Sequence, residues 1–400
     1  MLKYYFKNLK NNLSLFVVKT KKLSSLDVTL YVKTGSAYEG LNNNGISHLL
    51  EHLLFLKTKD FKKDPSALNI YAFTQKVFTF YEMTTHKDLL NPSLSSLFSV
   101  IDQPKFSQKN LKLVKDIVKE ELLELQQYPE DLFNQYIDSF LYKNTNLSLN
   151  IGGSTESLEK IKLDQLKKWY RSYYQEKNMI LTLVGDINID QTMRKINSLL
   201  KNNSKYFSNE ENNLADFKIN YPKNTKKLIK LKNNINLNKS HLAFVFPTAG
   251  INHKNYLDFV LLAEILKNEI RQEFENSGLL YDISFYYHNY LKTGEYRVIT
   301  SCQKKNVNLI IKKFNNFLAN YKMSSSYFDK IKKYLKYQFL LKEDNVDELS
   351  SLSLYLLNNQ RNLITLEDEV KHLEAIGFSE INKLKKKYFN KDNSYYFLME

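Results

Sequence analysis

Cysteine is almost missing from this 400-residue chain. Cys302 stands alone, so no intramolecular disulfide can form, and a reducing compartment is expected. Proline and glycine are scarce too, at 6 and 10 residues, which excludes collagen-like and Pro/Gly-rich low-complexity architectures. No apolar run approaches the ~20 residues that cross a bilayer, so an integral membrane protein is not expected. The start, MLKYYFKNLKNNLSLFVV, lacks a small-residue cleavage site and the Arg and Ser of a mitochondrial presequence. No targeting leader is read there, and a cytoplasmic location is expected.

Acidic residues are outnumbered, 43 against 58 Lys and Arg, for a formal charge of +15. The basic residues are spread along the chain, with only short clusters such as KLKKKY at 383–388. A solvated surface explains this pattern, and no nucleic-acid partner is expected. An apolar fraction of 43% with a mean hydropathy of -0.45 describes a globular chain with ample core material. Its length exceeds the ~250–300 residues at which single cores stop growing, so two or more domains are expected.

Alternating apolar segments predict strands near 14–19, 26–33, 69–84 and 179–186, with helices near 86–101, 108–127, 129–143 and 162–176 between the last two. Residues 204–223 are polar, aperiodic and end near a proline, the best linker candidate. Beyond it the order repeats in outline. Strands are predicted near 227–232 and 241–247, a long helix at 253–275, strands at 281–288 and 293–302, three or four helices, and a closing strand at 394–399. The expectation is an α+β fold of two duplicated domains, 1–203 and 224–400, each a mixed, mostly antiparallel sheet packed against helices.

Chemistry concentrates in GISHLLEHLLF, residues 45–55. His48 and His52 stand at i and i+4 of a predicted helix, which stacks two imidazoles on one face. Glu51 leans over the same face, where a free carboxylate can take a proton from a metal-activated water. H-x-x-E-H is the inverted zincin order. On spacing alone, a buried helix with two satisfied histidines remains open. The other five histidines, at 86, 241, 253, 288 and 372, are isolated.

The surroundings carry more. GSAYEGLNNNGISHLLEHLLFLKT closely resembles the active-site entry of the pitrilysin and insulysin metallopeptidases, a family that includes the mitochondrial processing peptidases and many bacterial peptidases of this length. YAFTQKVFTFYEMTTHKDL at 71–89, IGGSTESLEKIKLDQLKKWYRSYYQEKNMILTLVGDI at 151–187 and SGLLYDIS at 277–284 resemble further family blocks, so the likeness runs nearly end to end.

The resemblance implies one zinc ion per chain, held by His48, His52 and a glutamate in DIVKEELLEL. Alignment with the family block points to Glu121, which continues the apolar stripe of Val114, Ile117 and Val118; Glu120 and Glu124 are the rivals. The segment from His52 to Glu121 is shorter than the family's, with the shortening expected in 56–70, around Pro65. Glu51 is implied as general base and Tyr71, Ala72, Phe73 and Thr74 as the strand that receives peptide substrate. Tyr281 matches the family's second-domain tyrosine. The arginine expected seven residues earlier is replaced by Phe274, and Arg271, one turn back, is the candidate substitute. A zinc endopeptidase is thus implied, working as a homodimer or as a heterodimer with a related chain. The alternative is a non-catalytic subunit of such a pair.

Overall fold

Period-two apolar alternation builds the first sheet. Its strands are β1 (Lys3–Asn8), β2 (Ser14–Lys19), β3 (Ser25–Val32), β4 (Tyr71–Thr74), β5 (Thr79–His86) and β6 (Met179–Gly185), in the order β1-β2-β6-β3-β5-β4. Along β3, Leu26, Val28, Leu30 and Val32 enter one core and Tyr31 the other. The second sheet holds β7 (Leu228–Leu231), β8 (Ser240–Ala249), β9 (Leu280–Asn289), β10 (Thr293–Cys302) and β11 (Tyr395–Met399), in the order β7-β11-β8-β10-β9. The computed structural model describes residues 2–9, 12–56, 70–102, 104–203, 219, 221–222, 228–231, 238–275, 277–353 and 364–400.

The two sheets have one topology. In the first, the late strand β6 inserts between β2 and β3, parallel to β2 and antiparallel to β3. In the second, β11 inserts between β7 and β8 with the same polarities. Each sheet then ends on an antiparallel pair, β5-β4 or β10-β9. The α+β duplication read from the sequence is therefore present strand for strand, with β1 as an addition to the first copy.

Helices α1 (Ile46–Phe55), α2 (Leu90–Ile101), α3 (Gln108–Leu125), α4 (Pro129–Leu141), α5 (Thr155–Lys160), α6 (Leu163–Tyr173) and α7 (Ile189–Asn203) accompany the first sheet in sequence. Helices α8 (Tyr256–Glu275), α9 (Val307–Asn320), α10 (Ser325–Leu341), α11 (Val346–Ser351), α12 (Leu366–Ala375) and α13 (Phe378–Tyr388) accompany the second. The halves interlock. Phe133, Ile137 and Leu141 of α4 pack on Ala243, Val245 and Ile299 of the second sheet. Val346 and Leu349 of α11 join the core that takes in Phe16, Val18 and Tyr31 of the first.

Three readings need correction. β1 was not expected, because its residues are mostly exposed and it is held by pairing with β2, not by burial. The helix placed at 162–176 is preceded by a separate one, α5, and five described helices follow β10 where three or four were expected. The 204–223 linker and the shortened segment around Pro65 lie outside the described residues, apart from 56, 70, 219, 221 and 222.

Candidate metal centre

α1 is positioned from outside its own span. Its first residue follows Gly45, which adopts a left-handed φ of 94 and offers no side-chain cap. The buried carboxylate of Glu39 takes over that role. It accepts hydrogen bonds from the Gly45 N–H (2.6 Å), the Ser47 N–H (2.8 Å) and the Asn44 amide (2.8 Å), satisfying donors that a helix start leaves unpaired. Asn44 also donates to the Asn150 carbonyl, 2.7 Å away. Leu49, Leu50, Leu53 and Leu54 fill the first core, so His48 and His52 are turned to the opposite, partly open face.

α3 brings the third group. Val114 and Val118 are buried on its inner face, Glu121 is half-buried, and Glu120 and Glu124 are exposed. Packing against α1 thus separates Glu121 from its two rivals. His52 Nε2 and His48 Nε2 lie 3.2 Å apart, and Glu121 Oε2 is 3.3 Å from the first and 3.7 Å from the second. Bonds of ~2.0–2.2 Å from a tetrahedral zinc place its ligand atoms about 3.3–3.6 Å from one another. The triangle and its N/N/O chemistry therefore fit that metal. Among the described residues this is the only histidine-containing cluster with ligand spacing.

The protonation of His48 and Glu121 suits ligation, whereas the raised His52 gives up its proton when it binds a metal. Burial, with a smaller contribution from His52, holds the His48 imidazole down at about 4, so it is neutral and able to donate a lone pair. Burial pushes His52 down as well, yet the Glu121 carboxylate outweighs it and raises the group overall. Burial likewise opposes ionisation of Glu121, but its hydrogen bond to His52 leaves it below the usual range. The buried His48 Nδ1 has no hydrogen-bond partner among the described residues. The ring instead packs against Gly152, where an added Cβ would sit 3.7 Å from Nδ1.

Glu51 is 6% exposed, and burial pushes its carboxyl up, against the opposing pull of His52 and of the Thr74 hydroxyl. That hydroxyl donates to Glu51 Oε2 at 2.8 Å. Thr74 ends β4, the outermost strand, which among the described residues pairs only with β5. Tyr71 and Phe73 project from it with 56% and 52% exposure, while Ala72 lies against the first core. The structure thus brings His48, Glu51, His52, Glu121 and Thr74 together beside β4, the edge strand among the described residues.

The second-half candidates are not joined to this group. Tyr281 is exposed on β9 beneath the Lys239 ammonium, 4.6 Å from its ring centroid. Arg271 pairs with Glu275 at 3.3 Å and lies over the Phe285 ring. Phe274 is buried in the second core. Sequence reasoning missed Glu39, and it missed Lys76 just beyond β4. A charged residue six positions before an uncapped helix start was the available signal for Glu39. Lys76 had none.

Fold and site together define a two-domain α+β protein with an H-x-x-E-H helix whose two histidines meet Glu121 beside a sheet edge. Comparison with known proteins is consistent throughout. Residues 16–155 match the family model described as Insulinase (Peptidase family M16), and residues 160–335 match the one described as Peptidase M16 inactive domain. The chain belongs to the M16 peptidase family. It is 23% identical over 414 residues to a Bacillus subtilis protein named Uncharacterized zinc protease YmxG, covering 98% of this chain and 97% of that one. It is 24% identical over 178 residues to the human mitochondrial-processing peptidase subunit beta, covering 43% of this chain and 36% of that one. Among solved structures, a protease from Helicobacter pylori superposes with a TM-score of 0.85 at 19% identity, each chain covered in full.

Proposed function

We propose that the protein is a zinc-dependent endopeptidase that hydrolyses peptides or short unfolded segments in a closed chamber. The convergence of His48, His52 and Glu121 beside the buried Glu51 carries this reading. Those three residues would hold one zinc ion, which when bound supplies the Lewis acidity that brings water's pKa from ~15.7 towards ~7. Glu51 accepts the proton of the attacking water and passes it to the leaving amine, with Thr74 fixing the orientation of its carboxyl. Substrate adds as a strand to β4, whose outer edge is unpaired among the described residues, where main-chain bonds of Tyr71–Thr74 give affinity and the exposed Tyr71 and Phe73 give preference. Tyr281 and Arg271 supply donors for the developing oxyanion across the chamber. Arg271 must leave Glu275 to do so, and that exposed pair holds it by only about 0–1 kcal/mol.

A chamber requires a second wall, and we propose association with another copy or with a related chain; one relative is itself named as a subunit. A cytoplasmic location belongs to the same proposal. Among the described residues no helix is long and apolar enough to cross a membrane. The second reading, a non-catalytic or partner-dependent subunit, is favoured by Phe274 standing where the resemblance expects arginine. Metal analysis with a quenched-peptide assay on wild type and Glu51→Gln decides between them. The variant keeps its zinc and loses about 10²–10⁴ in rate if Glu51 is the base. A zinc-loaded wild type that is inert, alone and with related chains, sinks the enzyme reading.

A further inference from the structure

Buried charges between the halves alternate in sign along one path. The path begins at Glu39, the carboxylate that caps the metal helix. Next is Lys76, in the turn after β4. Its ammonium lies 3.4 Å from Asp138 on α4 and donates to the carbonyls of Leu147, at 3.1 Å, and Leu149. Asp138 also pairs with Arg297 on β10, in the second half. Arg297, 1% exposed, donates from Nε to Glu295 at 2.6 Å and from Nη1 to Asn134 Oδ1 at 2.9 Å. The formal charges run minus, plus, minus, plus, minus; Glu39 acts on Lys76 through space, whereas Lys76, Asp138, Arg297 and Glu295 are paired in direct contact.

The backbone follows the same path. The Lys76 carbonyl accepts from the Ala37 N–H at 2.8 Å, two residues before Glu39, and the Gln75 carbonyl accepts from Ser36. The loop held by the Lys76 ammonium continues to Asn150, whose carbonyl receives Asn44 at the start of α1. Thr74, two residues before Lys76, donates to Glu51. The Lys76 ammonium therefore ties the loop behind His48 to Asp138, the partner of Arg297, while the Lys76 backbone holds the segment before Glu39 and continues the edge strand. Burial lowers the affinity of Lys76 for its proton, while Asp138 and Glu39 oppose that loss.

We propose that Lys76 and Arg297 are positioning residues for the metal centre and the substrate edge, so that the second half sets the geometry of a site to which it donates no ligand. This extends the peptidase reading by giving the half that matches an inactive domain a task in the active site. A buried carboxylate between two cations has one low-energy arrangement, because moving either cation leaves an unpaired charge in a desolvated place. The ladder thus transmits the position of β10 to β4 and α1.

The test uses the full chain with Lys76→Met, Lys76→Arg, Arg297→Lys and the double variant Lys76→Met/Arg297→Lys. Zinc affinity is read by chelator competition, site geometry by the visible spectrum of the cobalt-substituted protein, and KM and kcat with a quenched peptide. Lys76→Met and Arg297→Lys are each expected to weaken zinc binding about tenfold, the scale found for groups that orient metal ligands. Both shift the cobalt spectrum and raise KM more than they lower kcat. The double variant is expected to be no worse than the poorer single one, because both break one path, and Lys76→Arg restores the wild-type values. Were Lys76→Met to fail to fold, Arg297→Lys, which keeps the charge, decides alone. Folded variants with wild-type zinc affinity, spectrum and KM, or with strictly additive losses, overturn the inference while the peptidase reading stands. A wild type that binds zinc and cleaves nothing sinks that reading, and the zinc and cobalt measurements still judge the ladder.

Discussion

Replacing Gly45 with alanine isolates what the start of the metal helix requires. At φ 94 an alanine enters the left-handed region, at a cost of about 1–2 kcal/mol. Its Cβ would also stand 2.8 Å from the Gly152 carbonyl oxygen and 2.9 Å from Leu158 Cδ2. The leucine can rotate, but the carbonyl belongs to the loop that backs His48, so overpacking adds roughly 1–3 kcal/mol. The sum is roughly 2–5 kcal/mol. Gly278 supplies the control, since its φ is 63 and nothing among the described residues lies within 4 Å of an added Cβ. Gly278→Ala should therefore show only the backbone cost of about 1–2 kcal/mol. Urea midpoints by circular dichroism compare the two, and Trp169, the single tryptophan, packs against the first core and reports that half by fluorescence. Gly45→Ala should weaken zinc binding as well, because the helix start cannot move without His48, whereas Gly278→Ala should not. Equal midpoints and equal zinc affinities for the two variants would refute the reasoning.

Glu121→Gln should weaken zinc binding severely, whereas Glu120→Gln, on the exposed face of α3, should leave it unchanged; a competition titration that ranks them the other way reverses the ligand choice. Thr74→Val removes a donor from the ionised Glu51, so the carboxyl's pKa rises further and the acid limb of the rate profile should move to higher pH; an unmoved limb argues that the Thr74 bond does not tune the base. His288, held down to about 4 by burial and by Arg297 and Lys76 against Asp138, stabilises the fold above its unfolded pKa, and that stability is lost as pH falls from about 6.5 towards 4. Between pH 7 and 4.5 wild type should lose about 2.5 kcal/mol more than His288→Gln does. Equal urea-midpoint shifts in the two proteins would remove His288 from the acid response.

His48, Glu51 and His52 were legible because they lie within two turns of one helix, where 3.6-residue geometry alone decides which side chains share a face. The duplication was legible for a related reason, since strand alternation and the order of elements are local properties repeated in both halves. β1 escaped notice because its pattern encodes no burial, and edge pairing is decided by a neighbour. Arg271 could be weighed only as a helical offset from Phe274, and the contact with Glu275 that occupies it depends on rotamers which spacing does not specify.

The sequence by itself determined the fold class and placed His48, Glu51 and His52 together on one helix, since each rests on short-range periodicity. Tertiary structure decided the rest. Packing of α3 on α1 turned Glu121 inward and left Glu120 and Glu124 in solvent. Closure of β4 onto β5 brought Thr74 to Glu51. The interlocking halves joined Asp138 to Arg297 across 159 residues, and Asp138 also pairs with Lys76. Oppositely charged residues so far apart in sequence carry no local signal, because their attraction becomes decisive only where folding has removed the water around them.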